Sequence, residues 1–271
     1  MPDCRAPVAV FDSGLGGISV LRELVRTLPR ENYLYFGDSL HAPYGTKTPQ
    51  EVVDLSLQAA DRLLAQGAKA LVVACNTATS AAIRTLRKTY PELAIVGTEP
   101  AIKPAVERHP GGRILMLATA MTVQEEKFQR LKAQYDDQAQ IIPIACSGLM
   151  EYVEQGVLRG AEVEGYLLDK LEPYLKVPID AVVLGCTHYP LLMDLIGEIM
   201  GPEVTLIDTG EEAAWELKRT LKAKDLLSDR AQEGTTTLYA SDQPEDFGSM
   251  AKHFLQEELT SPVLQVNIDR Y

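Results

Sequence analysis

The stretch 71–79, LVVACNTAT, constrains this chain more than any other. An apolar run closes on a small residue, then Cys75, Asn76 and Thr77, before a helical pattern begins. A short β-rich run bounded in this way reads as a buried strand of a parallel sheet. Cys75 then falls where the strand's carboxyl end meets a helix N-terminus, the crevice in which open α/β sheets hold ligands. The pattern returns at 182–190, VVLGCTHYP, with Cys186 in the equivalent place 111 residues later. One strand-end cysteine reads as core packing, because free cysteines are among the most buried residues. A matched pair asks for chemistry that uses two thiols.

A second recurrence has nearly the same period. The first strand, PVAVF at 7–11, runs into DSGLGGISVLRELVRTL, with Asp12 and Ser13 at the turn and a helix from residue 18. Gly14, Gly16 and Gly17 permit close backbone approach, yet GLGG is neither the dinucleotide fingerprint nor a phosphate loop. At 113 the sequence RILMLATAMTVQEEKFQRL restarts strand, small polar turn and helix, placing Thr119 107 residues after Asp12. An internal duplication of about 105 to 110 residues accounts for both recurrences.

The remaining elements alternate. A strand at 32–36 leads into GDSLHAPYGTKTP, a loop of turn residues that ends in a structural turn or presents N–H groups to a ligand. His41 in that loop reads as a surface histidine, and Thr48–Pro49 opens a helix that runs to about residue 64. Further helices are expected at 80–89, 211–222 and 244–255, and strands at 94–96, 140–144, 204–208, 237–240 and 263–268. Cys146 lacks the strand-end context and reads as core. Glu151 and Glu154 share one face of a short helix, toward a cleft or toward solvent. Trp215 reads as core or interface. The alternation implies an α/β fold of two similar doubly wound lobes with mostly parallel sheets. Residues 1–98 plus 209–271 are expected to form one lobe, the tail packing back on the first half, and 99–208 the other.

Bulk properties narrow the function classes. A formal charge of −12 over 271 residues argues against nucleic acid as a partner, while leaving a small acidic substrate open. No apolar run approaches the roughly 20 residues that span a bilayer, so no membrane association is expected. The first residues hold no signal-peptide core. Four cysteines without CxxC spacing read as reduced thiols of a cytoplasmic protein.

The residues leave three kinds of chemistry open. Thiols facing each other across a cleft, with Asp12 serving Cys75 and His188 serving Cys186, suit proton removal and return on opposite faces of a carbon, without a cofactor. Cys75, Cys186 and His188 also match a Cys₂His zinc site with one open position, although Asn76, Thr77 and Thr187 look more like substrate hydrogen-bonders. A two-lobed binder of a small anion would explain the duplication but not the cysteines.

The stretches FDSGLGGISV, FGDSLHAPYG, VVACNTATS and LGCTHYPLL, in this order, resemble the signature of the glutamate racemases within the aspartate/glutamate racemase family. The likeness spans essentially the whole chain, including GTEPAI at 97–102 and LATAMTV at 117–123. It implies two pseudo-twofold-related lobes with the active site between them, no cofactor and no metal. It implies Cys75 and Cys186 as the acid–base pair, glutamate as substrate and D-glutamate for peptidoglycan as product; aspartate or another amino acid is the alternative within the group. Asp12, Ser13, Tyr44, Gly45, Asn76, Thr77, Thr187 and His188 match substrate-contacting positions. A glutamate assisting the second cysteine falls on Glu154, in a segment, CSGLMEYVEQG, where many relatives carry a CP-type sequence. Activator-dependent members have an N-terminal extension; with six residues before the first strand here, no such dependence is expected. A homodimer is a possible assembly.

Overall fold

The computed structural model describes residues 3–242, 244–256 and 264–266. The first half runs β1 (Val8–Asp12), α1 (Ile18–Thr27), β2 (Tyr33–Gly37), α2 (Pro49–Ala65), β3 (Ala70–Val73), α3 (Asn76–Thr89), β4 (Ala94–Gly97). The second runs α4 (Ile102–Arg108), β5 (Arg113–Ala118), α5 (Ala120–Gln124), α6 (Glu126–Ala133), β6 (Gln140–Ala145), α7 (Leu149–Glu154), α8 (Ala161–Leu171), β7 (Ala181–Leu184), α9 (Met193–Met200), β8 (Thr205–Ile207). The chain continues through α10 (Gly210–Ala223), β9 (Thr236–Ala240), α11 (Pro244–Gln256) and β10 (Leu264–Val266). Of the strand expected at 263–268, residues 263, 267 and 268 lie outside the described residues.

Two sheets form, ordered β10-β9-β2-β1-β3-β4 and β6-β5-β7-β8, with every pairing parallel. The order β2-β1-β3-β4 is repeated by β6-β5-β7-β8, so the period seen in the sequence is a repeat of topology. β9 and β10 extend the first sheet beyond β2. Strands β1, β3 and β7 are buried along their whole length. Helices cover both faces of such sheets, which is why these strands read as unbroken apolar runs. Among the described residues no helix is long and apolar enough to cross a membrane.

Local signals explain the starts of the helices, with two differences from expectation. Thr48 and Glu51 form a reciprocal capping box at α2, with Pro49 in its first turn. Helix α3 begins at Asn76 rather than residue 80. The segment NTAT has weak helix propensity, but Cys75 caps it, its Sγ accepting from the Ala78 N–H at 3.4 Å. After β7 no α-helix starts at Thr187. A 3-10 turn spans Tyr189–Leu192 and α9 follows. Pro190 disfavours helical geometry in the residue before it, which delays the helix by a turn. The two cysteines therefore end equivalent strands but meet different backbone.

Cys146 lies in the second lobe's core, its carbonyl accepting from the Tyr189 hydroxyl at 3.0 Å. Trp215 is not in the core of the chain: it is 44% exposed, with the Lys218 ammonium 4.7 Å above its ring. Helix α10 buries Ala213, Ala214, Leu217 and Leu221 instead, and Trp215 stands off that stripe.

Candidate active site

Both cysteines lie beside points where strand order reverses, Cys75 after β3 next to β1 and Cys186 after β7 next to β5. Cys75 is buried at the cap of α3 and donates to Ser13 Oγ at 3.4 Å. The carboxylate of Asp12, the candidate partner of this thiol, accepts two hydrogen bonds. Oδ1 accepts from the Gly14 N–H at 3.0 Å and Oδ2 from the Thr187 hydroxyl at 2.9 Å. Burial pushes the Cys75 thiol up to about 12, the Asp12 charge adding to it and the bonds from Ser13 and Ala78 opposing. Burial also raises the Asp12 carboxyl, against the lowering influence of His188 and Thr187.

Cys186 has a different neighbourhood. Its Sγ lies 3.7 Å from His188 Nδ1, and His188 Nε2 lies 2.6 Å from Glu154 Oε1. The same carboxylate oxygen accepts from the Leu15 N–H at 2.6 Å. Burial disfavours the His188 cation, but hydrogen bonds it donates to Cys186 and Glu154 outweigh this and raise the imidazole well above its ordinary value. Burial likewise raises Glu154, and the His188 contact reverses this, leaving it below the usual carboxylate range. The geometry separates the two glutamates on α7: Glu154 reaches the histidine, while Glu151 Oε2 is buried without a hydrogen-bond partner among the described residues.

The glycine-rich turn after β1 is where the halves meet. A Cβ on Gly14 would strike the Glu154 carboxylate, and one on Gly16 the His188 imidazole. Ser19 adds a bond to the Thr187 carbonyl at 2.9 Å. The close approach that glycines permit is thus used by side chains of the second lobe.

The remaining positions surround the thiols. The Tyr44 hydroxyl donates to Asp38 Oδ2 at 2.7 Å. A Cβ on Gly45 would lie 3.1 Å from Thr119 Cβ, and Thr119 Oγ1 lies 3.1 Å from Thr77 Oγ1. Thr119 was noted in the sequence only as the counterpart of Asp12; that correspondence was the signal that it belongs to the site. Asn76 is 4% exposed, and neither carboxamide atom has a partner among the described residues. A buried orphan donor and acceptor each cost about 1–3 kcal/mol unless something binds them. Among the described residues no three His, Cys, Asp or Glu side chains are grouped to hold a metal ion. His188 has Cys186 beside Nδ1, and both Glu154 and the Gly16 N–H beside Nε2.

Hydrogen bonds from Thr187 to Asp12 and from Leu15 to Glu154 join the surroundings of the two buried thiols. One thiol is held protonated, and the other sits beside a basic imidazole.

Comparison with known proteins matches this description. Residues 10–217 match the family described as Asp/Glu/Hydantoin racemase. A glutamate racemase of Clostridium perfringens is 44% identical over 252 residues, 93% of this chain and 97% of that protein. A glutamate racemase isoform from Bacillus anthracis has the same fold with a TM-score of 0.86 at 30% identity, covering 98% of this chain and 97% of the other. A glutamate racemase from Francisella tularensis, solved in complex with D-glutamate, gives 0.82 at 28% identity over 97% and 98%.

Proposed function

Since the chain belongs to the Asp/Glu/hydantoin racemase family, we propose that it interconverts L- and D-glutamate without a cofactor, Cys75 and Cys186 moving the α-proton on opposite faces. The observation that carries this reading is a pair of buried cysteines at equivalent strand ends of two sheets with the same strand order, bridged by the Asp12–Thr187 hydrogen bond.

The unequal surroundings set a resting state. His188, raised well above its ordinary value and 3.7 Å from Cys186 Sγ, is placed to receive the Cys186 proton when that thiol acts as base, with Glu154 against its Nε2. Cys75 keeps its proton. From L-glutamate the Cys186 thiolate takes the α-proton, leaving a carbanion stabilised through its carboxylate, and the Cys75 S–H returns a proton on the far face. Cys75 is then the thiolate and Cys186 the thiol, so the protonation states exchange before the next L-to-D turnover. D-Glutamate meets the reversed state. Ser13, Asn76, Thr77 and Thr187, with the Tyr44–Gly45 turn, hold the ammonium and the two carboxylates. The unpartnered Asn76 amide supports this, because an amino acid offers it both a donor and an acceptor.

The lobes are assigned as residues 1–98 with 209–271, and 99–208. The product supplies peptidoglycan synthesis in the cytoplasm. Polarimetry on the purified protein with L-glutamate and, separately, L-aspartate, with no added cofactor, is the test. Loss of optical rotation with glutamate supports the proposal; racemisation of aspartate alone reassigns the substrate, and racemisation of neither overturns the reading.

A further inference from the structure

The buried carboxylate that accepts from the Tyr44 hydroxyl has no role in the reaction described above. Asp38 follows β2, is 3% exposed, and its backbone N–H donates to the Asp12 carbonyl at 3.0 Å. It occupies the N-cap of the 3-10 turn Ser39–His41, the place where an aspartate ordinarily caps with its own carboxylate. Here the side chain makes no capping bond. It turns to two other donors: the Tyr44 hydroxyl at 2.7 Å and His41 Nδ1 at 2.8 Å. His41, expected as a plain surface histidine, is therefore half-exposed and tethered.

Tyr44 is gripped at both ends. Its ring packs tilted on Phe11, with centroids 6.1 Å apart, and its hydroxyl ends on Asp38. The next residue, Gly45, packs on Thr119, which touches Thr77. A second brace comes from the tail: the Leu40 N–H donates to Ser241 Oγ at 2.9 Å, and the Ser241 N–H to the Gly37 carbonyl at 3.1 Å. The strand added beyond the repeat thus steadies the loop that carries Tyr44.

We propose that Asp38 is a positioning residue for substrate binding: it fixes the Tyr44 side chain, and through it the Tyr44–Gly45 turn, against Thr119 of the second half, which in turn touches Thr77. The inference rests on the proposed reading of the site as a glutamate racemase centre. A carboxylate can accept from both Tyr44 and His41, whereas a carboxamide has one acceptor oxygen and turns an N–H toward the other donor.

The experiment measures initial rates for both glutamate enantiomers on the full chain carrying Asp38→Asn, Tyr44→Phe, and both together. A group that positions the binding turn affects ground and transition states alike, so each single variant should raise KM about tenfold with kcat within about threefold. Because Asp38 acts through the Tyr44 hydroxyl, the double variant should match the singles rather than multiply them. Additive losses, or a fall in kcat at unchanged KM, overturn the proposal. Should Asp38→Asn not fold, Tyr44→Phe still decides, since it keeps the ring on Phe11 and removes only the tether; a wild-type KM in it overturns the inference. A wild type inactive on glutamate refutes the functional reading instead, which keeps the two failures apart.

Discussion

Gly16 and His188 approach so closely that a methyl group on the glycine would lie 2.4 Å from the imidazole Nδ1. The glycine faces the histidine across the junction between the first lobe's turn and the strand end that carries Cys186, and its N–H lies 3.3 Å from Nε2. Gly16→Ala must displace the ring and with it the 3.7 Å contact to Cys186. Misplacement of about 1 Å at a reacting group costs on the order of 10²-fold in rate, so racemisation should fall at least that far while far-ultraviolet circular dichroism stays native. Gly165 is the control. It lies within α8 with nothing near its added Cβ. Gly165→Ala should stabilise the protein by about 0.4–1 kcal/mol in urea unfolding and leave activity unchanged.

The Glu154–His188 pair gives stability a dependence on pH with a definite sign. Glu154 titrates lower when folded, so its contribution is complete above about pH 4.3, the ordinary glutamate value, and is lost as pH falls through the lowered one. His188 titrates higher when folded, so its contribution is complete below about pH 6.5 and is lost as pH rises through the raised value. The melting-temperature gap between wild type and Glu154→Gln should therefore be widest between these limits and narrow on the acid side below about pH 4. A gap that stays constant down to pH 3 would show that the two groups are not coupled.

The parts of this arrangement visible in the sequence are those that depend on local pattern. The strands ending at Cys75 and Cys186 are short apolar runs closed by polar residues, and both were found there. The glycines after β1 announced a close approach, but which side chains approach is a tertiary fact: Glu154 lies 139 residues from Leu15, and no periodicity encodes that contact. The choice between Glu151 and Glu154 was equally hidden, since both project from one short helix and only the packing of α7 selects one. Helix α3 starts early because a buried thiol caps it, a role rarely read into cysteine. The core alternative for Trp215 fails because α10 buries a stripe of small and branched residues that does not include it.

Stability away from the site should hinge on Lys69 and Glu31. Lys69 precedes β3 and Glu31 precedes β2, at the amino ends of the strands, opposite the thiols. Both are buried, their charged atoms 2.5 Å apart; Lys69 also donates to the Cys4 carbonyl, and Glu31 accepts from the Ser228 N–H at 2.8 Å. Lys69→Met leaves a buried carboxylate without its cation, which costs about 3–5 kcal/mol. Denaturant unfolding should show that loss, with kcat/KM unchanged under conditions where the variant remains folded. Loss of activity in a fully folded variant would mean that the two ends of the sheet are linked in a way the hydrogen bonds do not explain.

The last prediction separates the two thiols. Enantiomers in water have equal free energies, so kcat/KM for racemisation must be the same in both directions, whatever each cysteine does. Racemisation rates alone cannot assign the roles. Cys75→Ser and Cys186→Ser should each abolish racemisation, because a full turnover needs both groups and a serine hydroxyl is too weak an acid for its part. Elimination of a leaving group from the β-carbon of an amino-acid analogue is different: it needs one base to take the α-proton, and the leaving group departs with the electron pair. By the family resemblance Cys186 serves the L face, and its imidazole partner fits that role as the resting base. Cys75→Ser should therefore still eliminate from the L analogue and fail on the D analogue, and Cys186→Ser the reverse. If both variants process the same enantiomer, or if either racemises glutamate at the wild-type rate, the two-thiol mechanism is wrong.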